Sequence, residues 1–178
     1  MTLPEQTTLH DGTPVTLRHL RPDDACRLQA LHARLSPESI HLRFMAQLPA
    51  LPLDEARRLA DVDGQSRVAL AAALGPVEDE QFIGVARYAV VKPGEAEAAI
   101  VVEDRYQRLG AATLLLDRLL AYARAHGIGW FTGEVSLEND RMVDFIRRSG
   151  LPAEMKLTDG VWLVRVRIAP EVESSVPA

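Results

Sequence analysis

Apolar and polar residues alternate over Pro14–Leu20 (PVTLRHL), which predicts a β-strand with one face inward. The period then lengthens. In RPDDACRLQALHARL, Ala25, Leu28, Leu31 and Leu35 recur at helical spacing, Pro22 suits a first turn, and Asp23 and Asp24 sit at the positive end of the helix dipole. SPESIHLRF restarts a helix, with Ser36 as N-cap and Pro37 in the first position. Pro49 and Pro52 break the chain before a third short helix, LDEARRLADV. Three apolar runs follow at 66–74, 81–91 and 96–103, parted by the turns GPVEDE and KPGEAE, and read as an antiparallel meander. A long helix opens near Gly110 and stops at His126–Gly127. A strand (128–136), a helix (138–150) and a hairpin around Asp159–Gly160 (154–168) complete the pattern. Residues 1–12 read as a loose lead-in and 169–178 as a solvated tail.

This order predicts an α/β (α+β) domain, a mixed sheet with helices on its faces. The chain of 178 residues is long enough for one domain with a real core, so a single domain over 1–178 is expected, without repeats or linkers. The net charge of −5 gives no electrostatic footprint for nucleic acid. No apolar run reaches the length of a membrane span, and the N-terminus lacks the basic-then-apolar pattern of a signal peptide. With a single cysteine, Cys26, no internal disulfide is available, which fits a reducing, cytoplasmic setting. Cys26 itself reads as a small core residue of the first helix. The five histidines show no metal-ligand spacing with each other or with Cys26, so no metal is expected, and they read as surface or satisfied structural groups.

The junction YQRLGAATLLLDRLLAYARAHG, residues 106–127, carries the chemistry. A strand ends at Glu103 and the helix opens on Gly110, Ala111 and Ala112. Backbone N–H groups at a helix N-terminus are unpaired and carry about half a positive charge, so small residues there let an anion approach, commonly a phosphate. Arg105 and Arg108 add charge from the side. The competing reading is a plain loop before a core helix. The segment is neither GxxxxGK[ST] nor a GxGxxG on a first strand, which disfavours a nucleoside triphosphate loop and a Rossmann site.

QRLGAA, residues 107–112, resembles the Q/R-x-x-G-x-G/A motif of the GCN5-related N-acetyltransferase (GNAT) family. The resemblance implies a mixed, mostly antiparallel twisted sheet of six to seven strands flanked by helices. It also implies acetyl-CoA as co-substrate, with its pyrophosphate on the backbone of Gln107, Arg108, Leu109, Gly110, Ala111, Ala112 and Thr113. The central strand at Val101 and Val102 would align the pantetheine arm, and Asn139, opening ENDRMVDFIRRSGL, would contact that arm. Asn139 is equally a helix N-cap. LRHLRPDDACRLQALHARLSPESIHLRFM is similar to the opening of the acetyltransferase domain of bacterial protein-lysine acetyltransferases, with Arg43–Phe44 in the place of that subgroup's Arg–aromatic pair. In the subgroup a central-strand glutamate is the base, and Glu97, 13 residues before Gly110, stands in its place.

Transfer to an amine requires that the ammonium lose a proton, which Glu97 would accept, directly or through a water. A carboxylate on a partly buried strand has its pKa raised toward neutrality, which suits a base. Glu97 is also readable as a solvated strand-end residue; Glu95, Glu103 and Glu134 are its rivals, Glu103 being poorly placed beside the phosphate loop. Ile146 occupies the position of the family's frequent tyrosine acid, so thiolate release would rely on water or on the substrate's own proton. Tyr106 and Tyr122 read as packing residues. The acceptor is left open between a protein lysine and a small amine, and the missing acid favours a third reading, a module that binds acyl-CoA without transfer. Dimers are common in the resembling family; the sequence marks no interface.

Overall fold

The structure is a computed structural model, and it describes residues 3–169. Eight strands form one sheet: β1 (Glu5–Thr8), β2 (Pro14–His19), β3 (Arg67–Leu74), β4 (Gln81–Lys92), β5 (Glu95–Val102), β6 (Trp130–Ser136), β7 (Ala153–Thr158) and β8 (Val161–Arg167), in the spatial order β1-β2-β3-β4-β5-β6-β8-β7. Every neighbouring pair is antiparallel except β5–β6. Five helices flank it: α1 (Ala25–His32), α2 (Pro37–Phe44), α3 (Leu53–Ala60), α4 (Ala111–Ala125) and α5 (Asp140–Arg148).

The strand pattern dictates the layering. On β3, Val68, Leu70 and Ala72 join the core under α4, while Ala69, Ala71 and Ala73 join a second core under α1–α3. Small side chains on that second face let the short helices lie close to the sheet. Val135, Val143 and Val164 seed a third cluster beneath α5, and Ile146 packs there among Met142, Met155 and Trp162. The position expected for an acid is therefore apolar packing.

The meander, α4 and the hairpin stand where the periodicity put them, but the N-terminal reading needs correction. The lead-in is a strand: Glu5 to Thr8 pair with Leu17 to Pro14, which raises the sheet from six or seven strands to eight. The first helix divides into a 3-10 turn (Pro22–Asp24) and α1, ending before Leu35. Cys26 is exposed, not a core residue. His32 is buried, with Nε2 2.7 Å from the Leu48 carbonyl. The tail expected over 169–178 lies almost wholly outside the described residues.

Gly84 shows how tightly β4, β5 and α4 meet. A Cβ there would stand 3.1 Å from the Val101 carbonyl oxygen and from Val102 Cγ2, and 3.2 Å from Leu115 Cδ1. Overpacking of this kind costs about 1–3 kcal/mol. Gly84→Ala is expected to lower stability by that amount in urea denaturation; an unchanged midpoint would show that the strands yield freely.

Candidate active site

β5 and β6 hold together for only three residue pairs: Glu95–Trp130, Ala96–Phe131 and Glu97–Thr132. Beyond them β5 continues to Val102 and β6 to Ser136 without pairing to each other. The sheet therefore parts from Ala98 onward, leaving strand edges whose backbone groups face each other across a slot. Ligands of open α/β sheets bind at such places, beyond the carboxyl ends of parallel strands. The N-termini of α4 and α5 stand at the mouth, tied by a hydrogen bond from Arg141 of α5 to Gln107 Oε1 (3.2 Å).

The loop into α4 presents a run of backbone amides without partners among the described residues. Arg108 and Gly110 both have positive φ, 64° and 92°. These left-handed residues turn successive amides outward. The N–H groups of Arg108, Leu109, Gly110, Ala111, Ala112 and Thr113 find no acceptor among the described residues. The sequence-predicted set is thus gathered in one loop, although Ala111 is buried in the α4 core and the Val102 side chain packs there too. Val101 faces the opposite side of the sheet, toward α1–α3.

A hydrogen-bond network fixes the loop. Asp104 accepts from the Ser36 amide (2.8 Å), Ser36 Oγ (2.7 Å) and Ser39 Oγ (2.8 Å). Burial pushes the Asp104 pKa up, but these donors prevail and hold it below the usual range. Gln107 Nε2 donates to Ser39 Oγ (3.2 Å) and to the Val102 carbonyl (3.1 Å). Ser36 is the N-cap the sequence suggests, through the Ser39 amide, and the same turn also anchors the loop into α4, which no local pattern announces. His10 was missed as well: its amide donates to the Leu109 carbonyl (2.9 Å), and its ring lies against Gly110. Asn139 caps α5 through the Met142 amide (3.1 Å), the simpler of its two expected roles.

A cleft of about 690 Å³ opens on the α2 side of the parting strands. Glu97, Thr132 and Glu134 line it, with Arg43 and Phe44 from α2. The four rival carboxylates separate here. Glu103 is buried and paired with Arg34 (2.9 Å) and Arg105 (2.6 Å). Glu95 is paired with Arg165 (3.1 Å) and Lys92 (3.2 Å). Glu97 and Glu134 have no ion-pair partner among the described residues. Glu97 is exposed in the cleft, not partly buried as its strand position suggested. No tyrosine or cysteine lines the cleft.

Residues 39–151 match the model of the acetyltransferase (GNAT) family. The chain is 31% identical over 162 residues to an acetyltransferase of Pseudomonas aeruginosa, an alignment that covers 88% of this chain and 85% of that protein. Its structure superposes on the GNAT domain of PAT from S. lividans with a TM-score of 0.82 at 32% identity, over 90% of this chain and 94% of the other. A cAMP-binding acyltransferase from Mycobacterium smegmatis shares the fold at a TM-score of 0.65 and 24% identity, and the chain spans about half (49%) of its length. The open sheet parted at β5–β6, the amide-lined loop and these matches agree: the chain belongs to the GNAT acetyltransferase family and is an N-acetyltransferase, moving an acetyl group onto an amine.

Proposed function

We propose that the chain acetylates a primary amine, foremost the side chain of a protein lysine, with acetyl-CoA as donor and Glu97 as general base. The observation that carries this reading is the place of Glu97. It stands on the last β5–β6 pair, where the strands part, unpaired and open to a cleft large enough for an amine-bearing side chain. The loop amides of Arg108–Thr113 would hold the pyrophosphate, and the free edge of β5 near Val101 and Val102 would align the pantetheine arm as a neighbouring strand does. Asn139 would contact that arm from the start of α5.

In the reaction Glu97 takes a proton from the acceptor ammonium, directly or through one water, and the neutral nitrogen attacks the thioester carbon. Backbone N–H groups on the β5 edge stabilise charge on the carbonyl oxygen. The carbon–sulfur bond breaks, and with Ile146 in apolar packing the thiolate takes its proton from water or from the acceptor's second N–H. The lysine acceptor rests on the likeness of residues 17–45 to the opening of protein-lysine acetyltransferase domains. The absence of a tyrosine from the cleft favours a second reading, an acyl-CoA sensor without transfer.

Calorimetric titration with acetyl-CoA and with CoA tests the binding half. Both are expected to bind, and Gly110→Asp is expected to weaken both about tenfold or more. A side chain there is strained by the positive φ, its Cβ would stand 2.7 Å from His10 Nε2, and its carboxylate repels phosphate. No binding at millimolar cofactor would remove the acetyl-CoA assignment.

A further inference from the structure

Two arginines beside Glu97 have no carboxylate partner. The strand register sets Ala89 opposite Glu97 and Arg87 opposite Ala99, so Arg87 is the diagonal neighbour of Glu97 on the same sheet face. Arg43 arrives from the last turn of α2. Both line a cavity of about 40 Å³ whose other walls are apolar side chains and His32, so the two guanidiniums are its only charged groups, and Arg43 also lines the larger cleft that holds Glu97. Arg87 donates one N–H, to the Leu59 carbonyl (3.1 Å). The Arg43 guanidinium makes no hydrogen bond or ion pair among the described residues and lies 4.8 Å from the centre of the Phe44 ring.

Three other arginines packed against the cores each hold a carboxylate. Arg18 holds Asp24 and Glu80, Arg34 holds Glu103, and Arg118 holds Glu5. Burial pushes the Arg43 pKa down to about 10, the neighbouring Arg87 adds to this, and Glu97 and Glu55 oppose it. Burial lowers the Arg87 pKa too; Glu55 and Glu97 oppose this, while Arg58 and Arg67 add to it. Both remain charged at neutral pH. Withdrawing two like charges from water without a counter-charge is unfavourable, and a planar guanidinium fork matches a carboxylate.

We infer that Arg43 and Arg87 form a carboxylate pocket at the edge of the catalytic cleft. It takes a carboxylate carried either by the acyl group of the donor, as in a dicarboxylic acyl-CoA, or by the amine acceptor. The inference deepens the proposed acetyl-transfer reading and rests on it.

The test compares wild type with Arg43→Met and Arg87→Met, whose flexible apolar side chains fill the space, and with Arg87→Lys, which keeps the charge and loses the fork. The donor arm titrates each protein with succinyl-CoA and acetyl-CoA. The acceptor arm measures kcat/KM for acetyl transfer to alanine and to ethylamine, which lacks only the carboxylate. A wild-type preference of about tenfold for the carboxylate-bearing partner in either arm, collapsing toward unity in the Met variants, supports the pocket and shows which substrate brings the carboxylate. Should no preference exist in wild type, or should it survive unchanged in both Met variants, the pocket is overturned. If acetyl-CoA does not bind at all, the transfer reading fails separately. The melting temperature in succinate against chloride at equal ionic strength then decides the pocket: a rise confined to wild type supports it, and equal curves reject it.

Discussion

Glu97→Gln is expected to lower kcat for acetyl transfer by about 100- to 10,000-fold while leaving the Kd for acetyl-CoA within about twofold. Glutamine keeps the shape of the side chain and its place on the last β5–β6 pair, but it accepts no proton. The loop proposed to hold the cofactor lies beyond the far end of β5, tied to Ser36, Ser39 and Asp104, so its geometry does not depend on this charge. The same substitution separates the readings. Loss of turnover with binding intact supports a general base at Glu97. Turnover retained in Glu97→Gln and lost in Glu134→Gln would move the base to the adjacent strand. If wild type binds acetyl-CoA but transfers to no amine, protein or small, the sensor reading takes its place.

The second large effect concerns a cluster remote from the chemistry. Arg18, Asp24 and Glu80 are 3%, 0% and 7% exposed. Arg18 donates Nη1 and Nη2 to Asp24 (2.8 Å each) and Nε and Nη2 to Glu80 (2.9 and 2.6 Å), joining β2, the entry to α1 and the start of β4. Arg18→Ala leaves two buried carboxylates facing each other and is expected to cost about 3–5 kcal/mol. That lowers the melting temperature by about 6–20 °C in a chain of this size. The hydrogen bonds to Asp24 raise the Arg18 pKa. Burial pushes the Asp24 pKa up, but Arg18 and the Arg21 amide outweigh it and hold it below the usual carboxylate range. A carboxylate depressed in the folded state contributes its stability above its unfolded pKa, about 3.9, and loses it as pH falls through the folded value. The acid limb of a wild-type stability profile is therefore expected below about pH 4, and Arg18→Ala moves it to higher pH. Equal melting curves for the two proteins would show the cluster to be energetically idle.

Much of the architecture is written in the residues that bury apolar surface. RVALAAAL, QFIGVARYAVV and the apolar run of α4 announce their elements because each has an inward face. β1 announces nothing: Glu5, Gln6, Thr7 and Thr8 are polar throughout, and the strand exists because its backbone pairs with β2 and Glu5 meets Arg118 of α4 at 2.6 Å. Such long-range pairing leaves no local period. Cys26 likewise sits among α1's apolar residues yet points outward, since a helix of eight residues turns only part of its surface inward. Within the site, the glycine loop was legible because few residue types tolerate its backbone. The sorting of four glutamates was not, because Arg34 and Arg165 come to Glu103 and Glu95 from distant elements.

The short β5–β6 contact also bears on cooperativity. Three residue pairs join β1–β5 to the β6–β8–β7 segment, and a shared core under α4, through Ile128, Phe131 and Ile168, the Glu95–Arg165 ion pair and a few hydrogen bonds add to them. A sheet so narrowly bridged divides into two units of unequal strength. Subglobal opening of the C-terminal unit then costs less free energy than global unfolding, and any ligand that spans the slot couples the two into one cooperative block.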